Sequence, residues 1–147
     1  MSEKLFFSQW NPTCAAPFLK EKEGLRLKAY KDCVNVWTIG FGHTRGVHAG
    51  MTIDLQTAER FLLDDIQSTV ERLAPYVTIP VTQGQFIALV SLAFNVGVYA
   101  VAHSHTLEFL NAGQLAKAKA GFLTFNKSGG KVNDGLINRR RSEVALM

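Results

Sequence analysis

Residues 23–45 read EGLRLKAYKDCVNVWTIGFGHTR, and this stretch decides how the chain divides. Over residues 25–32, Leu25, Leu27, Ala29 and Lys31 alternate with Arg26, Lys28, Tyr30 and Asp32, the period-two pattern of a strand. Cys33, Val34 and Asn35 then form a turn, with Asn35 the residue best able to take a left-handed conformation. VWTIGFGHT follows, rich in β-branched and aromatic residues and interrupted by Gly40 and Gly42. Residues 25–45 are therefore expected to form a small antiparallel sheet. So few strands do not persist alone and must pack on something else.

The flanking segments supply that support. Ahead of the sheet, Ala15 to Gly24 carries Phe18, Leu19 and Lys22 at helical spacing, and Gly24 would end the helix. Beyond the loop RGVHAGMT, Asp54 can cap a long helix. Ala58, Phe61, Leu62, Ile66, Thr69, Val70 and Leu73 make one apolar stripe along it to about Pro75. Pro80 breaks the chain, and Thr82 with Gln85 forms the capping box of a second helix, apolar on all sides, to about Asn95. Shorter helices are expected at about 106–112, 114–125 and 137–146, with KSGGKVNDG, residues 127–135, as a loop. The fold class is α+β, mainly helical. A small sheet lobe (about 17–54) is joined by a linking helix (about 55–75) to a helical lobe (about 76–147), with residues 1–16 as an N-terminal extension. A cleft between two such lobes is a common place for a ligand.

Composition narrows the class. The chain has 147 residues, 47% hydrophobic and 19% charged, which suits one ordinary soluble globular domain and excludes a disordered one. Its net charge of +4 favours anionic partners without choosing among nucleic acid, acidic lipid and an acidic wall polymer. RNP, helix-turn-helix and zinc-finger patterns are missing, so no nucleic-acid partner is expected. His43, His48, His103 and His105 lack the spacing of a zinc site and there is no phosphate loop, so neither a metal nor a cofactor is expected. Cys14 and Cys33 are too few for a disulfide framework; two reduced thiols is the favoured reading and one bridge the alternative. The apolar run Leu5 to Phe7 is too short for a secretory signal. The apolar stretch from Phe86 to Ala102 is interrupted by Ser91, Asn95 and Gly97, which suits a buried helix better than a membrane span, so no stable membrane insertion is expected.

The chemistry lies in an arrangement rather than in any one residue. Glu23 ends a helix, Asp32 ends the first strand, and Thr38 sits on the next strand across the turn. The hairpin can bring Asp32 and Thr38 to the mouth that Glu23 faces. A carboxylic acid paired with a carboxylate is what glycoside hydrolysis needs: one protonates the leaving oxygen, the other activates water or forms a covalent intermediate. The acid must hold its proton until the leaving oxygen takes it, which partial burial favours. Phe94 and Trp37 are candidate apolar neighbours.

EGLRLKAYKD followed by VWTIGFGHT resembles the active-site segment of the T-even phage lysozyme family, glycoside hydrolase family 24. That family's signature is Glu, eight residues, Asp, five residues, Thr, and Glu23, Asp32 and Thr38 have this spacing. The TIGxGH motif that follows is Thr38 to His43. GMTI (50–53), QFIALVSLAFNVG (85–97), TLEFLNAG (106–113), FNKSGGKV (125–132) and GLINRRRSE (135–143) are similar to the lambdoid-phage branch. The likeness runs from about residue 17 to 147.

The resemblance implies a lysozyme-like fold and an endolysin that hydrolyses the β-1,4 bond between N-acetylmuramic acid and N-acetylglucosamine in bacterial peptidoglycan. It makes Glu23 the general acid, has Asp32 stabilise the developing positive charge or orient water, and has Thr38 hold that water. It pairs His43 with Asp65 as a structural contact between lobes. Asp65 lies four residues after Phe61 and four before Thr69, on the packed face of the helix, with Asp64 the alternative partner. Thr44, Phe94 and Asn95 match positions that line the family's substrate cleft. Arg139, Arg140 and Arg141 either meet anionic stem peptides or form a solvated basic face. The expected partner is a peptidoglycan glycan strand, and the protein is expected to act as a monomer. It would stay in the host cytoplasm until a holin-type lesion releases it, since the apolar arresting segment of membrane-released relatives is missing. Asn35 replaces the usual glycine, and Asp134 replaces a proline of many lambdoid relatives, which would loosen that loop. The segment before the long helix is shorter than in the T-even enzymes, so a more compact small lobe is expected. A lytic transglycosylase would need Glu23 but not Asp32; a non-catalytic wall-binding module would need neither.

Overall fold

The computed structural model describes residues 2–147. In chain order its first elements are β1 (Lys4–Leu5), α1 (Ala16–Glu23), β2 (Arg26–Lys31), β3 (Trp37–Gly40) and α2 (Leu55–Leu73). Then come β4 (Val81–Thr82), α3 (Gln83–Val96), α4 (Val98–Ala102), α5 (His105–Asn111), α6 (Leu115–Phe122), β5 (Lys127–Ser128), β6 (Lys131–Val132) and α7 (Asp134–Leu146).

The small sheet forms where the alternation predicts it. β2 and β3 run antiparallel, with Tyr30 opposite Thr38 and Lys31 opposite Trp37. A register shift between Arg26 and Tyr30 marks a bulge. The other edge of β2 is covered by backbone near Met51: Ala29 N–H donates to the Met51 carbonyl and Ile53 N–H to that of Leu27, each at 2.9 Å. Asn35 takes φ +67° in the turn, the conformation for which glycine is usual and asparagine is tolerated.

Asp54 caps α2 by accepting from the Thr57 N–H at 2.8 Å. The helix buries Ala58, Leu62, Ile66, Thr69, Val70 and Leu73, which are the predicted stripe without Phe61. Thr82 and Gln85 make reciprocal capping bonds of 3.1 and 3.0 Å at the start of α3. Phe86, Leu89 and Leu92 on α3 are fully buried, and each such side chain stabilises the fold by about 1.5–3 kcal/mol. α3 is the hub of the helical lobe, in contact with α1, α2, α4 and α7. Among the described residues no helix is long and apolar enough to cross a membrane.

Four findings differ from or add to the sequence reading. The N-terminal residues belong to the core: Lys4 pairs with Thr82 and Leu5 with Val81, and Phe7, 1% exposed, packs its ring 4.8 Å from that of Phe86. Residues 127–135 are not all loop, because Lys127–Ser128 and Lys131–Val132 close a short hairpin. Asp134 does not sit in a loosened loop. It opens α7, where a negative charge suits the helix N-terminus, and Asn133 accepts from the Leu136 N–H at 3.0 Å to cap it. Both cysteines are free thiols, Cys14 half-buried and Cys33 exposed, so the bridged alternative falls.

Candidate active site

Glu23 is the last residue of α1, and the chain leaves the helix through Gly24 at φ +68°. Arg139 Nη1 donates to Glu23 Oε1 at 2.8 Å, and the two side chains are 9% and 18% exposed. The Glu23 carboxylate also lies against the backbone of Gly42. A Cβ placed on Gly42 would come 2.8 Å from Glu23 Oε2, and Gly42 holds φ +78°, so glycine is required there twice over. The partner of Glu23 is thus a guanidinium, a contact that the sequence reading did not assign.

Asp32 ends the first strand of the hairpin and anchors its turn. Its Oδ1 accepts from the N–H groups of Val34 and Val36 at 3.0 and 2.9 Å. It lines a cleft of about 700 Å³ together with Asn95 and Arg139. That cleft opens between the sheet hairpin and the β5–β6 hairpin, where Cys33 Sγ approaches Ser128 Oγ at 3.7 Å. Thr38 is 5% exposed and donates its hydroxyl proton to the Val36 carbonyl at 2.9 Å. It is not on the wall of that cleft.

His43 is 8% exposed and meets Asp65 at 2.7 Å, Nδ1 to Oδ2. Its ring stacks on Phe61 at 4.2 Å, which explains why Phe61, though half-buried, carries the helical spacing of the core stripe. Burial pushes the Asp65 carboxyl above the usual carboxylate range, and the hydrogen bond from His43 offsets part of this. The contact ties the sheet lobe to α2. The three candidate cleft residues separate. Asn95 faces the cleft of Asp32, whereas Thr44 and Phe94 line a second groove of about 310 Å³ that also includes Gly42 and Asp65. Gly42 borders that groove and touches Glu23, while Arg139 borders the cleft and holds Glu23. Glu23 itself is on the wall of neither hollow, but both of these neighbours of its carboxylate are.

The arginines of α7 are not a solvated face. Arg139 is 8% exposed and Arg140 0%, while Arg141 is exposed. Arg139 donates to the hydroxyl of Ser91 at 3.2 Å, and that hydroxyl donates to Glu143. Arg140 Nη2 donates to Glu143 Oε2 at 2.9 Å. Arg140 Nε and Glu143 Oε1 form a buried ion pair at 2.6 Å. Glu23, Arg139, Ser91, Glu143 and Arg140 thus form one continuous polar chain linking α1, α3 and α7. Opposite charges at the three- and four-residue spacings of Arg140 and Arg139 to Glu143 were a visible pairing signal, but burial was not.

A helix-end carboxylate held by a guanidinium that borders a cleft, a hairpin carboxylate on the wall of that cleft, and a small sheet lobe followed by a long helix and a helical lobe are the layout of a lysozyme-type domain. The phage lysozyme family model matches residues 20–143, and the chain belongs to this family. It is 41% identical to the endolysin of Salmonella phage P22 over 133 residues, covering 87% of this chain and 90% of that one. It is 47% identical to the endolysin of Bacillus phage B103 over 131 residues, covering 87% of this chain, and spans about half the length of that relative. Its structure is similar to the muramidase domain of SpmX from Asticaccaulis excentricus, with a TM-score of 0.81, 34% identity, and 90% and 92% of the two chains covered.

Proposed function

We propose that this chain hydrolyses the β-1,4 bond between N-acetylmuramic acid and N-acetylglucosamine in bacterial peptidoglycan, acting as an endolysin. The observation that carries this reading is Glu23, held by Arg139 at 2.8 Å against the backbone of Gly42. Membership of the phage lysozyme family and the likeness to a muramidase domain support it.

In this reading Glu23 protonates the glycosidic oxygen, a step that contributes about 10²–10⁴-fold to the rate. Asp32 has one oxygen taken up by the turn amides, and its second oxygen stabilises the positive charge that develops on the sugar. Thr38 donates a hydrogen bond to the Val36 carbonyl, so its oxygen is left to accept one from the attacking water, and Asp32 takes the proton that this water releases. Thr44, Phe94 and Asn95 contact the strand on either side of Glu23, and His43 with Asp65 braces the lobes. The catalytic domain is residues 17–147, it acts as a monomer, and it reaches the wall through a holin-type lesion.

The test is clearance of outer-membrane-stripped Gram-negative cells by wild type and Glu23→Gln. Wild type should clear the suspension, and the variant should be slower by about 100-fold or more. Mass spectrometry of the wild-type products should find reducing ends. Anhydro-muramic ends would overturn the hydrolase reading in favour of a transglycosylase, and normal lysis by Glu23→Gln would overturn the role of Glu23.

A further inference from the structure

The groove of about 310 Å³ that Gly42 borders carries two guanidiniums, Arg45 and Arg72, that make no close ion pair, although the Arg45 charge is felt at Asp65. It is walled by Thr44 and Arg45 from the sheet lobe, Asp65 and Arg72 from α2, and Phe94 and Tyr99 from α3 and α4. Arg45 and Arg72 are both exposed, and among the described residues neither has a carboxylate within 4.0 Å. Asp65, the acid on this wall, is already bonded to His43. Tyr99 is 75% exposed and rests its ring against His103 at 4.3 Å, leaving an aromatic side chain open at the groove's rim. An open groove with unpaired cations and an aromatic rim suits a ligand that carries carboxylates on a largely uncharged frame. Arg139 and Arg140 of α7 cannot serve this purpose, since they are buried and spent on Glu23 and Glu143.

We propose that Arg45 and Arg72 form a subsite for the stem-peptide carboxylates of the glycan strand, so that the enzyme reads the peptide as well as the sugar backbone. This rests on the peptidoglycan reading above and deepens it. A planar guanidinium grips a carboxylate with two parallel hydrogen bonds, and Arg45 comes from the sheet lobe and Arg72 from α2, so the two offer carboxylates one contact on each element. Tyr99 supplies contact area that is indifferent to charge.

The experiment compares three substrates: native peptidoglycan, glycan strands stripped of their peptides by an amidase, and native peptidoglycan with its carboxyls converted to amides by carbodiimide and ammonia. Wild type should show a kcat/KM higher on native material than on either other substrate. Arg45→Ala and Arg72→Ala should each raise KM on native material by about 5-fold, the size expected of an exposed charge contact, and leave kcat and the amidated substrate unchanged. Tyr99→Ala should weaken all three alike. Arg60→Ala, which removes one positive charge from the exposed face of α2 outside the groove, should change none of them. Equal rates on native and amidated material, or an Arg60→Ala effect as large as that of Arg45→Ala, would overturn the proposal. Stripped strands cleaved as well as native ones would overturn the stem-peptide assignment, because the lactyl carboxylate that the amidase frees on the sugar would then serve as well as the peptide. Co-sedimentation of each variant with insoluble native and amidated peptidoglycan gives the same comparison without catalysis. Failure of wild type to cut any substrate, with charge-dependent sedimentation retained, would sink the hydrolase reading and spare this one.

Discussion

Arg139 and Glu23 lie 116 positions apart in the chain, yet Nη1 and Oε1 meet at 2.8 Å. The contact joins the end of α1 to the middle of α7 and is mostly shielded from water, so removing either partner leaves the other charge buried and unpaired. Arg139→Met should therefore destabilise the fold by about 3–5 kcal/mol, since it strands a carboxylate among α3 and α7. It should also cut kcat at temperatures where the variant is fully folded. Thermal unfolding combined with initial rates on peptidoglycan separates the two effects; a drop in Tm with unchanged kcat would make the arginine purely structural.

Gly42 offers a sharper probe of the same carboxylate. Gly42→Ala puts a methyl group 2.8 Å from Glu23 Oε2 and forces an L-residue to φ +78°. Backbone strain alone costs about 1–3 kcal/mol. The loss of activity should exceed what that destabilisation predicts, because the methyl displaces the acid itself. Rates and Tm for Gly42→Ala, set beside Gly46→Ala, make the comparison: Gly46 has a similar φ of +72° but nothing within 4 Å. Equal losses of activity in the two variants would refute the idea.

Asp65 carries a pH signature. Burial raises its folded-state pKa above the unfolded value, so between those two values the folded protein holds a proton that the unfolded chain has released. Stability from this group is therefore complete below the ordinary carboxylate pKa and is lost as pH rises through the raised value. The stability advantage of wild type over Asp65→Asn should shrink from acid toward neutral pH. Denaturant unfolding of both proteins across that range tests it, and a difference that stays flat or grows with pH would contradict the burial argument.

Phe7 tests the N-terminal segment. It is 1% exposed against Phe86, and the Trp10 indole N–H donates to the Val81 carbonyl at 3.0 Å beside it. Phe7→Ala should cost about 3–5 kcal/mol, an ordinary penalty for an aromatic removed from a core. Urea unfolding should register it, with kcat preserved at low temperature. A loss below about 1 kcal/mol would mean the segment is dispensable.

Local patterns were enough for much of the layout. Alternation over residues 25–32 and the Asn35 turn specify the hairpin, Asp54 and the 3–4 stripe specify α2, and Thr82 with Gln85 opens α3, because each depends on neighbours a few positions away. The candidate residues Glu23, Asp32 and Thr38 were legible for the same reason, as a spacing within one short segment. Nothing local marks Phe7 as core, since its partner Phe86 lies 79 positions on and the segment between carries the whole sheet lobe. The same holds for α7: three consecutive arginines look alike in sequence, and only packing sends Arg139 to Glu23, Arg140 to Glu143 and Arg141 to solvent. Sequence alone determined the candidate residues and the elements they ride on. The tertiary structure decided what they face, because burial and charge pairing belong to space between distant segments, and no period along the chain records it.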